Sequence, residues 1–440
     1  MTPVCALSKK SVPTFKKLIW LYYGFQFFFT MLFWLPIFYE YQKRFGLNDT
    51  EIFQIQSWYY IAFCLLEIPT GSIADRLGYV RCLRWGALTL ILANLFPIYL
   101  PTYTGFLLHF LVIALSRSFI SGASNAYLYE YLKTHGNSAV FKQIEGNARA
   151  YSLVGKVFGW SAIGLLLEWH LTLPYWLTVV SAFISLVFAW KLPPIIPSKT
   201  QTKYSLYSIR SMLVSSPFLV LVMFQGIAIF VLARICQVNL FQPILESKSI
   251  GVAWFGVVMS VMTLFEALGS ARPHYILSLL HHVKAYILSL LHWNISHLHP
   301  VNVRAVKAPG LRKKYTDWNV VFILTAIMAL TLGLIPFLGS RGALFCLCVF
   351  ALATGFSYPI QRQLLNDTIP SSQYRATLIS VESIIDRLVC AVVASGMAHF
   401  LSKGKLNEFL ILSCVITCVF ILLLMVCTKF FKTHAVGEKT

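Results

Sequence analysis

Apolar stretches of about twenty residues, separated by short polar breaks, run along almost the whole chain. A helix rises about 1.5 Å per residue and the hydrocarbon of a bilayer is about 30 Å thick, so about 20 mostly apolar residues suffice to cross it. By that measure the pattern predicts twelve spans, at 18–40, 51–74, 84–101, 105–130, 149–168, 171–191, 217–243, 251–271, 318–339, 342–364, 375–400 and 406–429. They fall into two sets of six. The break between the sets holds Pro193, Pro194 and Pro197 with Lys199, Lys203 and Arg210. Proline resists helix continuation, so this break reads as a linker. The expected organisation is an N-terminal six-helix half (1–191), a cytoplasmic linker (192–216), a C-terminal six-helix half (217–430) and a cytoplasmic tail (431–440). The first run is uncharged from Leu18 to Tyr39. A signal-peptide core has about 7–15 apolar residues, so this run reads as a retained span.

Composition agrees with an all-α polytopic membrane protein. Hydrophobic residues make up 58% of the 440 and charged residues only 12%, against about 45–50% and about 25% in soluble domains. That excludes a soluble enzyme, a disordered chain and a disulfide scaffold. Most of the ten cysteines lie inside apolar runs, where they pack as small hydrophobes, and no spacing marks a disulfide framework or a zinc site. The net charge of +20 raises nucleic acid as a partner, but its distribution answers otherwise. With the N-terminus inside, the outer loops hold six of the 36 Lys and Arg (Lys43, Arg44, Lys248, Arg341, Lys403, Lys405). Four lie well inside spans (Arg117, Lys156, Arg234, Arg387), and the rest, those at the cytoplasmic ends of spans included, are counted with the cytoplasm. Lys and Arg accumulate in cytoplasmic loops, so both termini are expected inside, and the basic balance needs no nucleic acid.

The break between spans two and three carries Gly71, then Asp75, Arg76 and Gly78, followed by Arg81. This resembles the motif of the major facilitator superfamily: a glycine, three residues, then Asp-Arg-x-Gly with basic residues after it. Tyr79 and Val80 stand where the family usually has basic residues. With twelve spans split six and six, the resemblance covers essentially the whole chain. It implies a bacterial-type secondary active transporter, a monomer in the cytoplasmic (inner) membrane. Such a protein moves a small solute by alternating access around a midplane cavity and needs no cofactor. In the family the motif aspartate meets the N-terminal end of helix eleven, here beginning near Arg375. A carboxylate is favoured at such an end, which makes Asp75 a candidate gate latch. Gly71 is expected to let a neighbouring helix approach closely, and Gly78 to permit a tight turn.

Charges inside spans are costly and face a bundle interior or a wet cavity. The candidates for substrate binding or proton coupling are Glu67 in span two, Arg117 in span four, Lys156 in span five, Arg234 in span seven, Glu266 in span eight, and Glu382, Asp386 and Arg387 in span eleven. Glu382 and Asp386 are four apart and share a helix face. Two carboxylates that close cannot both ionise cheaply in a low dielectric. Such a pair holds a proton for coupling, or else pairs structurally with a neighbouring cation. Arg117, with Gly122 after it, is similar to the family's span-four arginine motif at a spacing one residue longer. Span five has Gly155, Gly159 and Gly164 but lacks the Gly-Pro pair of the family's drug:proton antiporters, which weighs against drug efflux.

Residues 272–317 replace the short basic loop expected after span eight. The seven residues from Tyr275 to His281 recur from Tyr286 to His292, and six of the eleven histidines fall between His274 and His299. An amphipathic helix on the lipid of the inner leaflet fits the apolar repeat and basic flanks; an insertion with no role in transport is the other main reading. His281 and His292 would be roughly 16 Å apart on one helix, too far to share a metal ion. Two other classes remain: a polytopic acyltransferase-like enzyme using His109, His170 or His399, and a transporter-like sensor.

Overall fold

The computed structural model describes residues 12–137, 140–195, 216–271, 309–369 and 375–437. The repeated segment 275–292 and most of the linker lie outside the described residues. Within them every regular element is helical. Ten helices or helix runs are long and apolar enough to cross a membrane. The expected spans 51–74 and 375–400 are helical too, within α3 (Asp49–Leu77) and α14 (Arg375–Leu401). These two carry the motif and the carboxylate pair and are not among the ten.

Three expected spans are interrupted. Span one is α1 (Val12–Thr30), a 3-10 turn at Leu35–Ile37 entered through Pro36, and α2 (Phe38–Arg44). Span five is α6 (Phe141–Ser161) and α7 (Ile163–Trp169). Span seven is α9 (Pro217–Arg234), a π-helical stretch Ile235–Leu240, and α10 (Phe241–Ser247). The others are α4 (Tyr79–Tyr99), α5 (Tyr103–Thr134), α8 (Leu173–Lys191), α11 (Phe255–Ala271), α12 (Pro309–Leu334), α13 (Ser340–Thr368) and α15 (Leu406–Gly437), with 3-10 turns at Val252–Trp254 before α11 and Ile335–Phe337 after α12. Local chemistry sets several ends. Asn48 and Glu51 form a reciprocal capping box at the start of α3, at 2.9 and 3.0 Å. The expected loop after span two is a single residue, because α3 runs to Leu77 and α4 starts at Tyr79. Gly78 between them has φ +92°, a conformation glycine adopts without strain.

Contacts divide the chain into two units that are not contiguous in sequence. One comprises Met1–Lys203, Arg234–Leu264 and Arg387–Leu406; the other comprises Tyr204–Ala233, Phe265–Asp386 and Asn407–Thr440. The first has an aromatic core in which Trp34, His109 and Tyr175 are all buried, with ring centroids 5.0 to 6.0 Å apart. Short polar contacts join the first six spans of this unit to its later segments. Buried Gln242 on α10 accepts from the Tyr39 and Glu40 amides at 3.0 and 3.2 Å and donates to the Leu35 carbonyl at 3.2 Å. Lys43 pairs with Glu246 at 2.6 Å. Ser57 on α3 donates to the Ala391 carbonyl on α14 at 3.0 Å. Gly164 lies against the Val252 and Ala253 carbonyls so closely that a methyl there would overlap both.

The second unit packs Leu219, Val222, Trp318, Phe322, Leu364, Leu365 and Leu378 into one buried cluster. On α15, Ile416, Val419, Leu423 and Val426 are exposed. An apolar face turned outward suits lipid, which removes the penalty that water would impose.

Candidate functional site

Glu382 sits mid-helix on α14 in the second unit and is fully buried. Its Oε2 accepts from Arg362 Nη1 on α13 at 2.6 Å. The guanidinium lies 4.6 Å from the centre of the Phe230 ring on α9 and 5.7 Å from that of Tyr358. Its flat, weakly hydrated face suits such stacking. The other carboxylate oxygen, Oε1, is buried against Gly226, where a methyl would overlap both Oε1 and Gln361 Nε2. Gln361 in turn donates to the Val222 carbonyl at 2.7 Å, and Gln225 donates to Thr325 Oγ1 at 2.7 Å. Asp386, one turn on, is also buried, and its charge acts on Glu382. α14 thus presents both acids to the interior, as four-residue spacing requires. A buried charge pair is stable only with good geometry and further hydrogen bonds; here Arg362, stacked on the rings, serves Oε2, while Oε1 has no hydrogen bond among the described residues.

A second polar group lies in the first unit. Arg117 on α5 and Lys156 on α6 line one cavity with Phe29, Thr30, Leu32, Leu35, Leu90 and Trp160. Its volume is about 80 Å³. Lys156 Nζ stands 5.6 Å from the centre of the Trp160 ring, and Trp160 Nε1 is held by the Leu32 carbonyl at 2.9 Å.

The remaining predicted residues fall as follows. Glu67 accepts from Ser121 Oγ at 3.4 Å and belongs to the first unit. Arg387 lies over the Phe63 ring at 4.1 Å. Arg387 and Arg234 both act electrostatically on Tyr60, whose hydroxyl donates to Asn239 Oδ1 at 2.8 Å. Glu266 is half-buried on α11. Gly71, Asp75 and Arg76 are in α3 rather than in a loop. Among the described residues nothing lies within 4 Å of a methyl placed at Gly71, so the close approach expected there is not found. The Asp75 side chain and the side chains opening α14 lie outside the described residues; Arg76 and Arg81 are exposed. Of the three histidines considered for an enzyme, His109 is buried with Nδ1 2.7 Å from the Ala93 carbonyl, and His170 and His399 are exposed.

Sequence reasoning did not pick out Arg362, Gln361, Gln225 or Gln242. The signal for Arg362 was available: it falls inside 342–364 and is flanked by Gln361 and Gln363. The lone glutamines of span seven carry no charge to draw notice.

A sequence profile described as the Major Facilitator Superfamily matches residues 19–394. The chain belongs to that family, and so is a membrane solute transporter rather than an enzyme. Among solved structures it is similar to the nucleoside transporter NupG. A point mutant of NupG is 16% identical with TM-score 0.64, covering 93% of this chain and 99% of the other. The second NupG structure is 14% identical with TM-score 0.64, covering 94% and 99%. At that identity the likeness is one of fold. No curated protein sequence matches the chain.

Proposed function

We propose that the chain moves a small solute across the cytoplasmic membrane by alternating access between two six-helix halves, 1–191 and 217–430, driven by a proton gradient through Glu382 and Asp386. The observation that carries this reading is the burial of Glu382 against Arg362 with a second acid one turn away. Protonating Glu382 removes the charge that holds Arg362, and loss of the proton restores it. Such a differential interaction can bias a two-state equilibrium, whereas equal affinity for both states shifts nothing. Arg362 and Asp386 both act electrostatically on Glu382. Arg117, Lys156, Arg234, Glu266, Glu67 and Arg387 are proposed to line the solute and ion path, and Gly71, Asp75, Arg76, Gly78 and Arg81 to form the gate motif. Both termini face the cytoplasm, and the protein works as a monomer.

The test is flux in proteoliposomes under an imposed pH gradient, with a solute first found by thermal shift on the purified protein. In Glu382→Gln/Asp386→Asn, solute exchange continues but the gradient no longer drives accumulation. Accumulation with wild-type pH dependence in that variant moves the coupling site elsewhere, with Glu266 the next candidate.

A further inference from the structure

We propose that the cavity beneath Arg117 and Lys156 holds an oxyanion, a carboxylate or phosphate, carried by the transported solute. The inference rests on the transporter reading and adds the chemical class of its substrate.

Two cations from different helices converge on one small space, and no acid lines it. Like charges brought to one space repel, so the arrangement favours an anion between them. Each cation is placed to receive one. Lys156 is positioned by the Trp160 ring, itself anchored through Nε1 to Leu32. Arg117 is exposed, and it has no salt bridge among the described residues. An arginine fork matches the two oxygens of a carboxylate or phosphate, and a lysine adds a compact charge. The hydroxyl of Thr30, also in the lining, donates to its own helix at Gln26 O, 2.9 Å away. Size points the same way. About 80 Å³ is several times the roughly 10–15 Å³ that one water needs, and far below the roughly 300–1,000 Å³ of a pocket enclosing a whole drug-sized molecule. The site takes a head group, with the body of the solute outside it.

Two acids lie near without entering the lining. Glu67 bonds Ser121, one turn beyond Arg117 on α5. Glu145 precedes Lys156 on the same helix by about three turns, roughly 16 Å, and acts on Arg149 and Asn125.

The experiment is thermal melting of the purified full chain at constant ionic strength. The probes are acetate, lactate, inorganic phosphate and glycerol 3-phosphate; the neutral counterparts are lactamide, glycerol and uridine. A ligand that binds only the folded state raises the midpoint saturably. At least one oxyanion is expected to do so while its neutral counterpart does not. Half-saturation should weaken at least tenfold in Arg117→Gln and in Lys156→Gln, and the response should vanish in the pair. If the double variant does not fold, Arg117→Lys serves: it keeps the charge but loses the fork, and should still weaken binding about tenfold. The proposal is overturned if no oxyanion shifts the midpoint, or if uridine shifts it equally in wild type and the double variant. A lipid head group is separated by nanodiscs of phosphatidylglycerol and of phosphatidylcholine. A shift that follows the lipid alone, with none from soluble oxyanions, assigns the site to lipid and removes the solute inference. Binding without flux keeps the oxyanion site and removes the transporter reading. Flux of a neutral solute through Arg117→Gln/Lys156→Gln keeps the transporter and removes the site.

Discussion

Arg362 and Glu382 show how a buried pair is tested one residue at a time. Removing one partner leaves the other charge without compensation, at a cost of about 3–5 kcal/mol. Replacing both by apolar side chains of similar size is often neutral. Arg362 is about a quarter exposed and Glu382 is fully buried, so Arg362→Met is expected to destabilise strongly, toward the lower end of that range. Arg362→Met/Glu382→Leu should recover most of the loss, as read by thermal unfolding in detergent. Neither variant should concentrate solute. If the double variant is as unstable as the single one, packing rather than charge holds this site. The acids were legible in the sequence because a carboxylate in an apolar run has few innocent explanations. Arg362 was not, because it falls two residues before the expected end of span ten, among the cytoplasmic charges. The helix in fact continues to Thr368, which puts the guanidinium a full turn and more inside.

Among the elements, the helix pattern was read well and the breaks within helices were not. Hydropathy reports where backbone is shielded from water; it says nothing of a local change of winding. The interruptions at Leu35–Ile37 and Ile235–Leu240 therefore left no mark on the apolar runs that contain them. The motif after span two was legible as residues but not as conformation: only Gly78 leaves the helix. Asp75 belongs to the last turn of α3, and an acid is disfavoured at the C-terminal end of a helix dipole. A partner helix N-terminus would relieve that. Asp75→Ala is expected to abolish transport while membrane insertion and expression are kept, measured as flux at matched protein in proteoliposomes. Near-normal flux would show that the motif is idle in this chain.

For the whole molecule, the family and the all-helical fold were legible because length, apolar periodicity and one motif agree. Sidedness rests on the Lys and Arg count alone. With segment 191–216 in the cytoplasm, Ser205→Cys in an otherwise thiol-free variant should resist an impermeant thiol reagent added to intact cells. It should react after the cells are opened. Labelling from outside would invert the topology. What the sequence could not give is the division of the chain into units. Contacts assign Arg234–Leu264 and Arg387–Leu406 to the unit of the first six helices. α11, α14 and the run from α9 to α10 are thus divided between the units, and α15 gives its first residue, Leu406, to the first.

The π stretch in span seven has a consequence for the genetics of the chain. Each residue of an α-helix turns the chain by about 100°, and a π turn accommodates one residue more than an α turn. Ile235–Leu240 therefore takes up one codon more than an α-helix would, without turning the residues after it. That surplus keeps Gln242 aimed at the Leu35 carbonyl and at the Tyr39 and Glu40 amides; the same residues wound as plain α-helix would turn it by about 100°. Deleting Val238 alone should yield a smooth α-helix of unchanged hydrophobic character that still aims Gln242 at its partners. The deletion should therefore lower the melting temperature less than Gln242→Leu does, because it keeps the three contacts that the substitution removes. Inserting one alanine after Leu240 should do the opposite, turning all of α10 by about 100° with every side chain intact.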